Sequence, residues 1–171
     1  KFILLIPSIQ SPGDNVVSFL PLAHTFGCAF EFLWPFTIGC HIHFLTRTPS
    51  PKIIIQAFQE VKPTIVISVP LILEKIYKKR LLPTLEKPII KILLHIPGIS
   101  SILLKKIKAK LVETFGGRFF EIVIGGAPLN ADVEKFFKRI NFPFSIGYGM
   151  TECGPLISYE SWDKTMRTSA G

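Results

Sequence analysis

The sequence predicts an α/β fold in which helices cover both faces of a mainly parallel sheet. Short runs rich in valine and isoleucine lack polar alternation, as strands buried on both faces do. Stretches with apolar residues at helical spacing alternate with these runs, which favours parallel strands joined by helices. With 171 residues, 48% of them hydrophobic, the chain is long and apolar enough for one globular domain.

A first strand, helix and strand are predicted near the start of the chain. The runs "NVVSFLP" (15–21) and "CHIHFL" (40–45) are short and rich in β-branched and aromatic residues, as strands are. Between them, "LAHTFGCAFEFLWPFTIG" (22–39) is long and apolar enough for a buried helix. This part of the chain therefore has the order β, α, β.

The alternation then continues through the second half of the chain. A helix is predicted over "PKIIIQAFQEV" (51–61), a strand over "PTIVISVP" (63–70) and a helix over "LILEKIYKKRL" (71–81). Two further strands, "FFEIVIGGAPL" (119–129) and "FPFSIGYGM" (142–150), each run into glycines. Ligands of such sheets bind at the carboxyl ends of the strands, so these glycines mark candidate binding loops.

The last predicted helix is the amphipathic stretch "NADVEKFFKRI" (130–140), which joins the two final strands. Asn130 or Asp132 is expected to cap it, because Asn and Asp accept hydrogen bonds from the first backbone N–H groups of a helix. A glutamate follows within the first turn, as is common at helix N-termini.

The middle of the chain carries the whole excess of positive charge. The formal net charge is +8, and residues 74–110 contain ten Lys or Arg but only two Glu. Within this basic segment, 83–110 is predicted to be an insertion of two short helical pieces separated by Pro97 and Gly98. A basic patch attracts nucleic acid, anionic lipid or an acidic ligand. The alternative is a solvated helical face whose isoleucines pack on the domain.

The cysteines and histidines do not indicate a metal or disulfide framework. Cys28, Cys40 and Cys153 are far apart, and no CxxC pair is present. His41 and His43 share one face of a strand but lack a third ligand, so we interpret them as structural. This use of cysteine favours a reducing setting, so we expect a cytoplasmic protein, with peripheral contact at the inner face of the membrane as an option. No apolar run reaches the roughly 18 residues that would indicate a membrane span.

The motif "GYGMTE" (147–152) gathers groups suited to a magnesium nucleotide. Its two glycines allow close approach of a ligand, and Tyr148 can stack on a base. Thr151 can donate a hydrogen bond to a phosphate oxygen, and Glu152 offers the hard oxygen that Mg²⁺ prefers. A plain glycine turn is the structural alternative, but a plain turn has no need of the carboxylate.

Two other predicted strand ends carry unusual residues. In "IGGAPL" (124–129), Gly125 and Gly126 let the backbone come close to a flat ligand, although a tight turn into the next helix would use the same glycines. In "PLAHTFG" (21–27), His24 lies just past a strand, where it can pair with a carboxylate or phosphate and titrate near neutral pH. The alternative for His24 is a structural role at a helix start.

Four stretches in this order and at these separations resemble the central part of the adenylate-forming enzymes, most of all long-chain fatty acid CoA ligases. They are "SFLPLAHTFG" (18–27), "PTIVISVPLILEKIY" (63–77), "IVIGGAPLN" (122–130) and "GYGMTECGP" (147–155). A basic, helical insertion follows the second of these stretches, which favours the long-chain acyl branch. The resemblance implies a sub-domain of the N-terminal domain of such an enzyme.

Enzymes of that family use ATP, Mg²⁺ and coenzyme A. They convert a fatty acid into an acyl-adenylate with release of pyrophosphate and then transfer the acyl group to the thiol of coenzyme A. The resemblance therefore implies fatty acid, ATP and coenzyme A as partners of the parent protein, and its activity as an acid-thiol ligase.

The resemblance also assigns roles to single residues. It implies a wall of the nucleotide and acyl site at Gly125, Gly126 and Ala127, and a ring stacked on adenine at Tyr148, beside Gly149. It further implies an α-phosphate contact at Thr151, a Mg²⁺ ligand at Glu152, and an acyl pocket lined by His24, Phe26, Gly125 and Gly147, with His24, Thr151 and Glu152 as the catalytic set.

The family pattern is not complete within these 171 residues. The Ser/Thr/Gly-rich phosphate loop that ends in lysine, the ribose-binding aspartate and the small C-terminal domain with its catalytic lysine are absent from them. We therefore expect a partial AMP-binding domain over 1–171, which folds as a sub-domain but does not form acyl-CoA by itself. Measurable turnover by this chain alone would contradict the expectation.

Other functions remain open at this stage. One alternative is a basic α/β module that binds nucleotide, RNA or a membrane, and another is a different acid-activating adenylate-forming enzyme. RNA-binding surfaces interleave aromatic residues with lysines, whereas the basic segment contains only Tyr77. For this reason we expect no nucleic-acid partner.

Overall fold

The five strands found within residues 11–164 all pair in parallel. These are the residues that the computed structural model describes. The strands lie within the runs predicted for them: β1 is Asn15–Ser18, β2 is His41–Phe44, β3 is Ile65–Ser68, β4 is Glu121–Ile124 and β5 is Phe144–Ile146. They form two ladders, β1 with β2, and β3, β4 and β5 in that order. The two ladders meet where the Thr64 N–H donates to the carbonyl of Asn15 at 3.0 Å.

In the same part of the chain, apart from a short 3₁₀ turn at Thr151–Cys153, six helical segments connect and flank these strands. Their bounds are 25–38 for α1, Pro51–Val61 for α2, 70–85 for α3, Pro88–Leu93 for α4, Ile99–Thr114 for α5 and Ala131–Arg139 for α6. None of the helices within residues 11–164 has the length and apolar character needed to cross a bilayer.

Both α1 and α3 continue past a proline by widening into a π-helical stretch. In α1 this stretch is Cys28–Leu33, two residues before Pro35, and in α3 it is Tyr77–Leu81, two residues before Pro83. Proline lacks an N–H and its ring crowds the carbonyl four residues earlier, so an ordinary α-helix would break there. The wider turn keeps the helix continuous through both positions.

The predicted segment of two short helical pieces over 83–110 is therefore wrong in its bounds. Residues 83–85 belong to the end of α3, and α5 extends to Thr114 and is not short. The break at Pro97 and Gly98 is confirmed, because Gly98 has a φ of +84° that the helix cannot continue through.

The starts of two helices follow simple capping chemistry. The Ser50 hydroxyl accepts a hydrogen bond from the Ile53 N–H at 3.4 Å, with Pro51 at the first position of α2. At α6 the cap is Asn130 and not Asp132, because the Asn130 side-chain oxygen accepts from the N–H groups of Asp132 and Val133 at 3.0 and 3.3 Å.

Helices cover both faces of the β3–β5 ladder, as predicted. Alternate side chains of β4 point to opposite faces, so Ile122 and Ile124 pack with the larger core while Val123 packs with the smaller one. The larger core includes a cluster of phenylalanine rings from α2 and α6 and from the loops that follow α5 and α6 (Phe58, Phe115, Phe119, Phe137 and Phe142). The smaller core contains Trp34 of α1, which fixes this helix beside the strand ends.

Candidate functional site

The ladder register brings the ends of three strands side by side. Ser68 pairs with Ile124, and Ile124 pairs with Ile146. Hydrogen bonds continue one step past the strands: the Gly125 N–H donates to the Ser68 carbonyl at 3.0 Å, and the Gly147 N–H donates to the Ile124 carbonyl at 2.8 Å. The glycine loops predicted as binding loops therefore begin at one edge of the sheet.

Two cavities open at this edge. The first has a volume of about 450 Å³ and lies on the side of Tyr148 and the start of α6. Its lining consists of Gly126, Ala127, Pro128, Leu129, Ala131, Glu134, Ile146, Gly147, Tyr148 and Gly149. This volume is within the range of small-molecule and cofactor sites.

The second cavity, of about 360 Å³, lies on the side of α1. The loop that precedes α1 and the loop that follows β5 face each other across it. Its lining consists of Leu20, Pro21, His24, Thr25, Phe26, Gly27, Val69, Gly125, Gly126, Gly147, Gly149, Met150, Thr151, Pro155 and Leu156.

The two cavities share a wall made of glycines. Gly126, Gly147 and Gly149 line both of them. Gly126 has a φ of +89°, a conformation that disfavours any side chain, and a Cβ on Gly149 would collide with the carbonyl oxygen of Pro155. The wall between the two cavities is therefore bare backbone.

Tyr148 stands at the mouth of the first cavity with a fixed backbone and an exposed ring. Its N–H donates to the Ser158 carbonyl at 3.0 Å, and its carbonyl accepts from the N–H groups of Ile157 and Ser158 at 2.8 and 3.0 Å. The side chain is 53% exposed. A planar ligand in this cavity would have one face of the tyrosine ring available to it.

Thr151 and Glu152 occupy a short 3₁₀ turn, Thr151–Cys153, after β5. Thr151 lines the second cavity, whereas Glu152 is exposed beside it and lines neither cavity. Among residues 11–164, no cluster of three histidine, cysteine or carboxylate side chains is arranged to hold a metal ion.

His24 lies where α1 begins and faces the second cavity. It is the N-cap residue of the helix, but its side chain makes no capping hydrogen bond, and it is exposed. Two residues on, the Phe26 ring packs edge-on against Phe30, with ring centroids 5.4 Å apart. The same ring packs on Gly125 in the lining of the second cavity, since a Cβ on Gly125 would lie 2.5 Å from the Phe26 Cζ.

Sequence reasoning missed Glu31, which holds the loop carrying His24. This carboxylate is fully buried in the π-helical part of α1. Its Oε2 accepts hydrogen bonds from the Phe19 and Leu20 N–H groups at 2.9 and 2.8 Å, where the loop leaves β1. Burial raises the pKa of Glu31 to about 7, against the lowering effect of these hydrogen bonds. The available signal was a single charged residue within an apolar helix.

We expect Glu31 to make the stability of the fold depend on pH. Its pKa is raised above the ordinary value of 4.5, so the folded state binds more protons than the unfolded state between pH 4.5 and 7. Stability is therefore lost as the pH rises through this window. Relative to Glu31→Gln, which keeps an acceptor oxygen without the charge, the wild type should lose up to about 3 kcal/mol by pH 8.

The measurement is the free energy of unfolding in urea for both proteins at pH 5 and pH 8. Other carboxylates titrate equally in the two proteins, so the difference isolates Glu31. Exposed Glu113→Gln is the matched control and should show no such pH dependence. A difference between wild type and Glu31→Gln that is the same at both pH values would contradict the prediction.

A second buried carboxylate, Glu121, anchors the chain that follows the 3₁₀ turn. The Tyr159 hydroxyl donates to the Glu121 Oε2 at 2.6 Å, at the end of the sheet opposite the cavities. Burial raises the pKa of Glu121, and burial together with this hydrogen bond raises the pKa of Tyr159. The segment between Tyr148 and Tyr159 is thus tied to the sheet at both of its ends.

The first cavity also has a fixed rim on the side of α3. The Glu74 carboxylate accepts a hydrogen bond from the Asn130 N–H at 3.0 Å and so joins α3 to the start of α6. This contact holds the loop from Gly126 to Leu129 in place over the cavity.

Comparison with known proteins gives one consistent family. The family model of the AMP-binding enzymes matches residues 4–171. Long-chain-fatty-acid–CoA ligase 1 of Saccharomyces cerevisiae is 33% identical over 159 residues, which cover 81% of this chain and 22% of that protein. Long chain acyl-CoA synthetase 8 of Arabidopsis thaliana is 28% identical, with 93% of this chain and 25% of that protein covered.

Solved structures with the same fold are adenylate-forming enzymes at low sequence identity. Apo MatB from Rhodopseudomonas palustris aligns with a TM-score of 0.65 at 18% identity, over 96% of this chain and 27% of that one. A benzoate CoA ligase from Burkholderia xenovorans aligns with a TM-score of 0.64 at 15% identity, over 99% of this chain and 30% of that one. The chain spans about a quarter of the length of the proteins it matches.

Proposed function

Because this chain belongs to the AMP-binding enzyme family, we propose that it forms the central part of an ATP-dependent long-chain fatty acid CoA ligase. The observation that carries the proposal is the pair of cavities that share a glycine wall at the strand ends. One cavity suits a planar base and the other an apolar acid, and the wall between them is where the two substrates would meet. The names of the yeast relatives support the long-chain acid as the substrate.

In this proposal the nucleotide takes the first cavity. The adenine would lie between the Tyr148 ring and the backbone of Gly126 and Ala127, next to Gly149. Gly125, expected in the same wall, lines only the second cavity. Bare glycine backbone permits the close approach that a flat ring needs on its second face. The exposed ring of Tyr148, on a backbone fixed by three hydrogen bonds, provides a stacking surface without a large loss of conformational freedom on binding.

The acid takes the second cavity in the same proposal. Phe26 and Gly147 would line the acyl chain, and His24 would contact the carboxylate. Thr151 lies in the same cavity and would donate its hydroxyl to the α-phosphate. Catalysis of adenylate formation then consists of placing the carboxylate oxygen in line with the phosphorus while cationic and hydrogen-bond donors stabilise the developing charge.

Glu152 fits the role of Mg²⁺ ligand. Its carboxylate is exposed next to Thr151, and no ion pair with a cation of residues 11–164 occupies it. A carboxylate oxygen is the ligand that Mg²⁺ prefers, and the ion, when bound with ATP, supplies positive charge to the phosphates. Glu152 would hold the ion at the phosphate end of the nucleotide, away from the apolar cavity.

Residues 1–171 would be part of the AMP-binding domain, and the basic helices within 83–110 would be an insertion in it. Coenzyme A would be the acyl acceptor of the whole protein. The basic segment 74–110 would give the protein peripheral contact with a membrane, where fatty acids partition. RNA binding is less well supported, because Tyr77 packs against Phe136 and Phe137 and leaves this segment without an exposed aromatic ring.

The test is acid-dependent exchange between ATP and pyrophosphate by the full-length protein that contains this chain. We expect exchange with palmitate, and little with malonate, benzoate or amino acids. Exchange that is driven by one of those acids and not by palmitate would indicate a different acid-activating enzyme. Absence of exchange with every acid would overturn the proposed function.

A further inference from the structure

An exposed row of isoleucines follows α4 and the first turn of α5. We call it the isoleucine ridge: Ile89, Ile92, Ile96, Ile99 and Ile102, with exposed fractions between 40% and 70%. Within each helix the two members are three residues apart and so lie on one side of it: Ile89 with Ile92 on α4, and Ile99 with Ile102 on α5. Ile96 lies in the turn between the two helices, and its carbonyl accepts a hydrogen bond from the Ser100 N–H at 3.0 Å, which joins this turn to the start of α5.

The ridge does not contribute to the core. On α5 the core contacts come from the other face, where Ile107 and Leu111 are buried. α5 is therefore apolar on two sides, and only one of them is packed. Large apolar side chains that are exposed close together along the chain often mark an interaction surface.

Four exposed lysines flank the ridge, two on each side of the junction. They are Lys87, Lys91, Lys105 and Lys106, and none of them pairs with a carboxylate of residues 11–164. Their ammonium groups lie on flexible stems, so they can reach an anionic surface while the isoleucines contact its apolar interior.

A second exposed apolar cluster has the composition expected of a surface that binds another protein, and it differs from the isoleucine ridge. Leu33, Phe36 and Phe44 are exposed near the end of α1, and Phe36 and Phe44 both pack on Phe32 with ring centroids 6.0 Å apart. No lysine, arginine, aspartate or glutamate occurs among residues 33–44. An uncharged aromatic cluster suits burial against protein, whereas isoleucines interspersed with unpaired lysines do not, since burial of the lysines there would be costly.

We propose that the isoleucine ridge and its four lysines dock on the anionic surface of a lipid bilayer. The isoleucines would enter the boundary between headgroups and acyl chains, and the lysines would contact lipid phosphates. This proposal specifies which lipid surface the basic segment would contact. It rests on the proposed function only in assuming that this segment contacts a membrane. It does not require the chain to activate an acid.

The test measures partition of the full-length protein onto vesicles of phosphatidylcholine with one quarter phosphatidylglycerol, and onto vesicles of phosphatidylcholine alone. Ile89→Asn, Ile92→Asn and Ile102→Asn together should lower partition onto the anionic vesicles at least about tenfold. Replacing the four lysines with glutamine should lower partition onto the anionic vesicles by at least about tenfold, so that the two kinds of vesicle bind the variant about equally. Salt at about 0.5 M should weaken this preference in the wild type, because it screens the lysines.

The matched control is Leu33→Asn with Phe36→Asn, which changes exposed apolar residues outside the ridge and should leave partition nearly unchanged. Two results would overturn the proposal: unchanged partition of the isoleucine variant, or a wild-type dimer that this variant alone dissociates, which would assign the ridge to a second copy of the chain. Exchange between ATP and pyrophosphate with detergent-dispersed palmitate should be retained by all three variants. Failure of lipid binding is thus separable from failure of the proposed function.

Discussion

Replacing Glu152 with alanine in the full-length protein is expected to lower ATP–pyrophosphate exchange by about a hundred- to a thousandfold. The change removes the carboxylate expected to hold Mg²⁺ beside Thr151, without touching either cavity lining. Because the side chain is exposed and pairs with no cation of residues 11–164, the fold should be unaffected. Exchange rates measured across a Mg²⁺ titration test this directly, since loss of a ligand also raises the Mg²⁺ concentration needed for half-maximal rate.

The matched control is Glu113→Ala, another exposed glutamate, which lies on α5 far along the chain from the candidate site. Its exchange rate and Mg²⁺ dependence should equal those of the wild type. Calorimetric titration of ATP with and without Mg²⁺ separates metal loss from nucleotide loss, because Glu152→Ala should weaken only the binding of ATP with Mg²⁺. Near-normal exchange by Glu152→Ala would remove Glu152 from the proposed site.

Strands β3 and β4 could be predicted from the sequence because a strand buried on both faces needs a continuous apolar run, whereas β2, which is mostly exposed, is indicated by its β-branched and aromatic residues. The five strands of residues 11–164 lie inside the predicted runs, and β4, "EIVI", is the clearest case. The division into two ladders could not be predicted, since it depends on which strands meet across the chain. β1 pairs with β2 and touches the other ladder through Asn15 and Thr64.

Helix continuity through Pro83 could not be predicted, since the predicted helix ended at residue 81, whereas the helix predicted over 22–39 already includes Pro35. Sequence rules place a break at an internal proline because they assume α-helical hydrogen bonds. The widened turns over Cys28–Leu33 and Tyr77–Leu81 satisfy the backbone N–H and C=O groups with π-helical hydrogen bonds instead. No particular residue type predicts such turns.

The candidate site was largely visible in the sequence because strand ends carry the ligand in this type of sheet. That rule predicts His24, Gly126 and Gly147 as site residues, and all three line the second cavity. The buried carboxylates were not visible, because their partners lie far along the chain. Glu31 binds backbone 12 residues earlier, and Glu121 binds a tyrosine 38 residues later.

Gly149 is expected to be the least replaceable residue of the shared wall. A Cβ at this position would collide with the Pro155 carbonyl oxygen and would lie 2.9 Å from the Leu156 Cα. Both obstacles are backbone, so relief requires a shift of the segment that forms the second cavity. We expect Gly149→Ala to lower the free energy of unfolding by at least about 3 kcal/mol, the upper part of the range for overpacked sites. Urea unfolding of the variant and the wild type measures this change.

Gly154→Ala in the same loop is the control that separates steric collision from loss of glycine as such. Gly154 has a φ of +69°, but a Cβ added there would meet no atom of residues 11–164 within 4 Å. Gly154→Ala should therefore lower the free energy of unfolding only by the cost of left-handed backbone strain, about 1–2 kcal/mol. A larger loss for Gly154→Ala than for Gly149→Ala would mean that backbone strain, and not the approach of Pro155, sets the requirement for glycine. If the collision dominates, Gly149→Ala should also lose ATP binding at temperatures where Gly154→Ala retains it, because only the former displaces the wall between the two cavities.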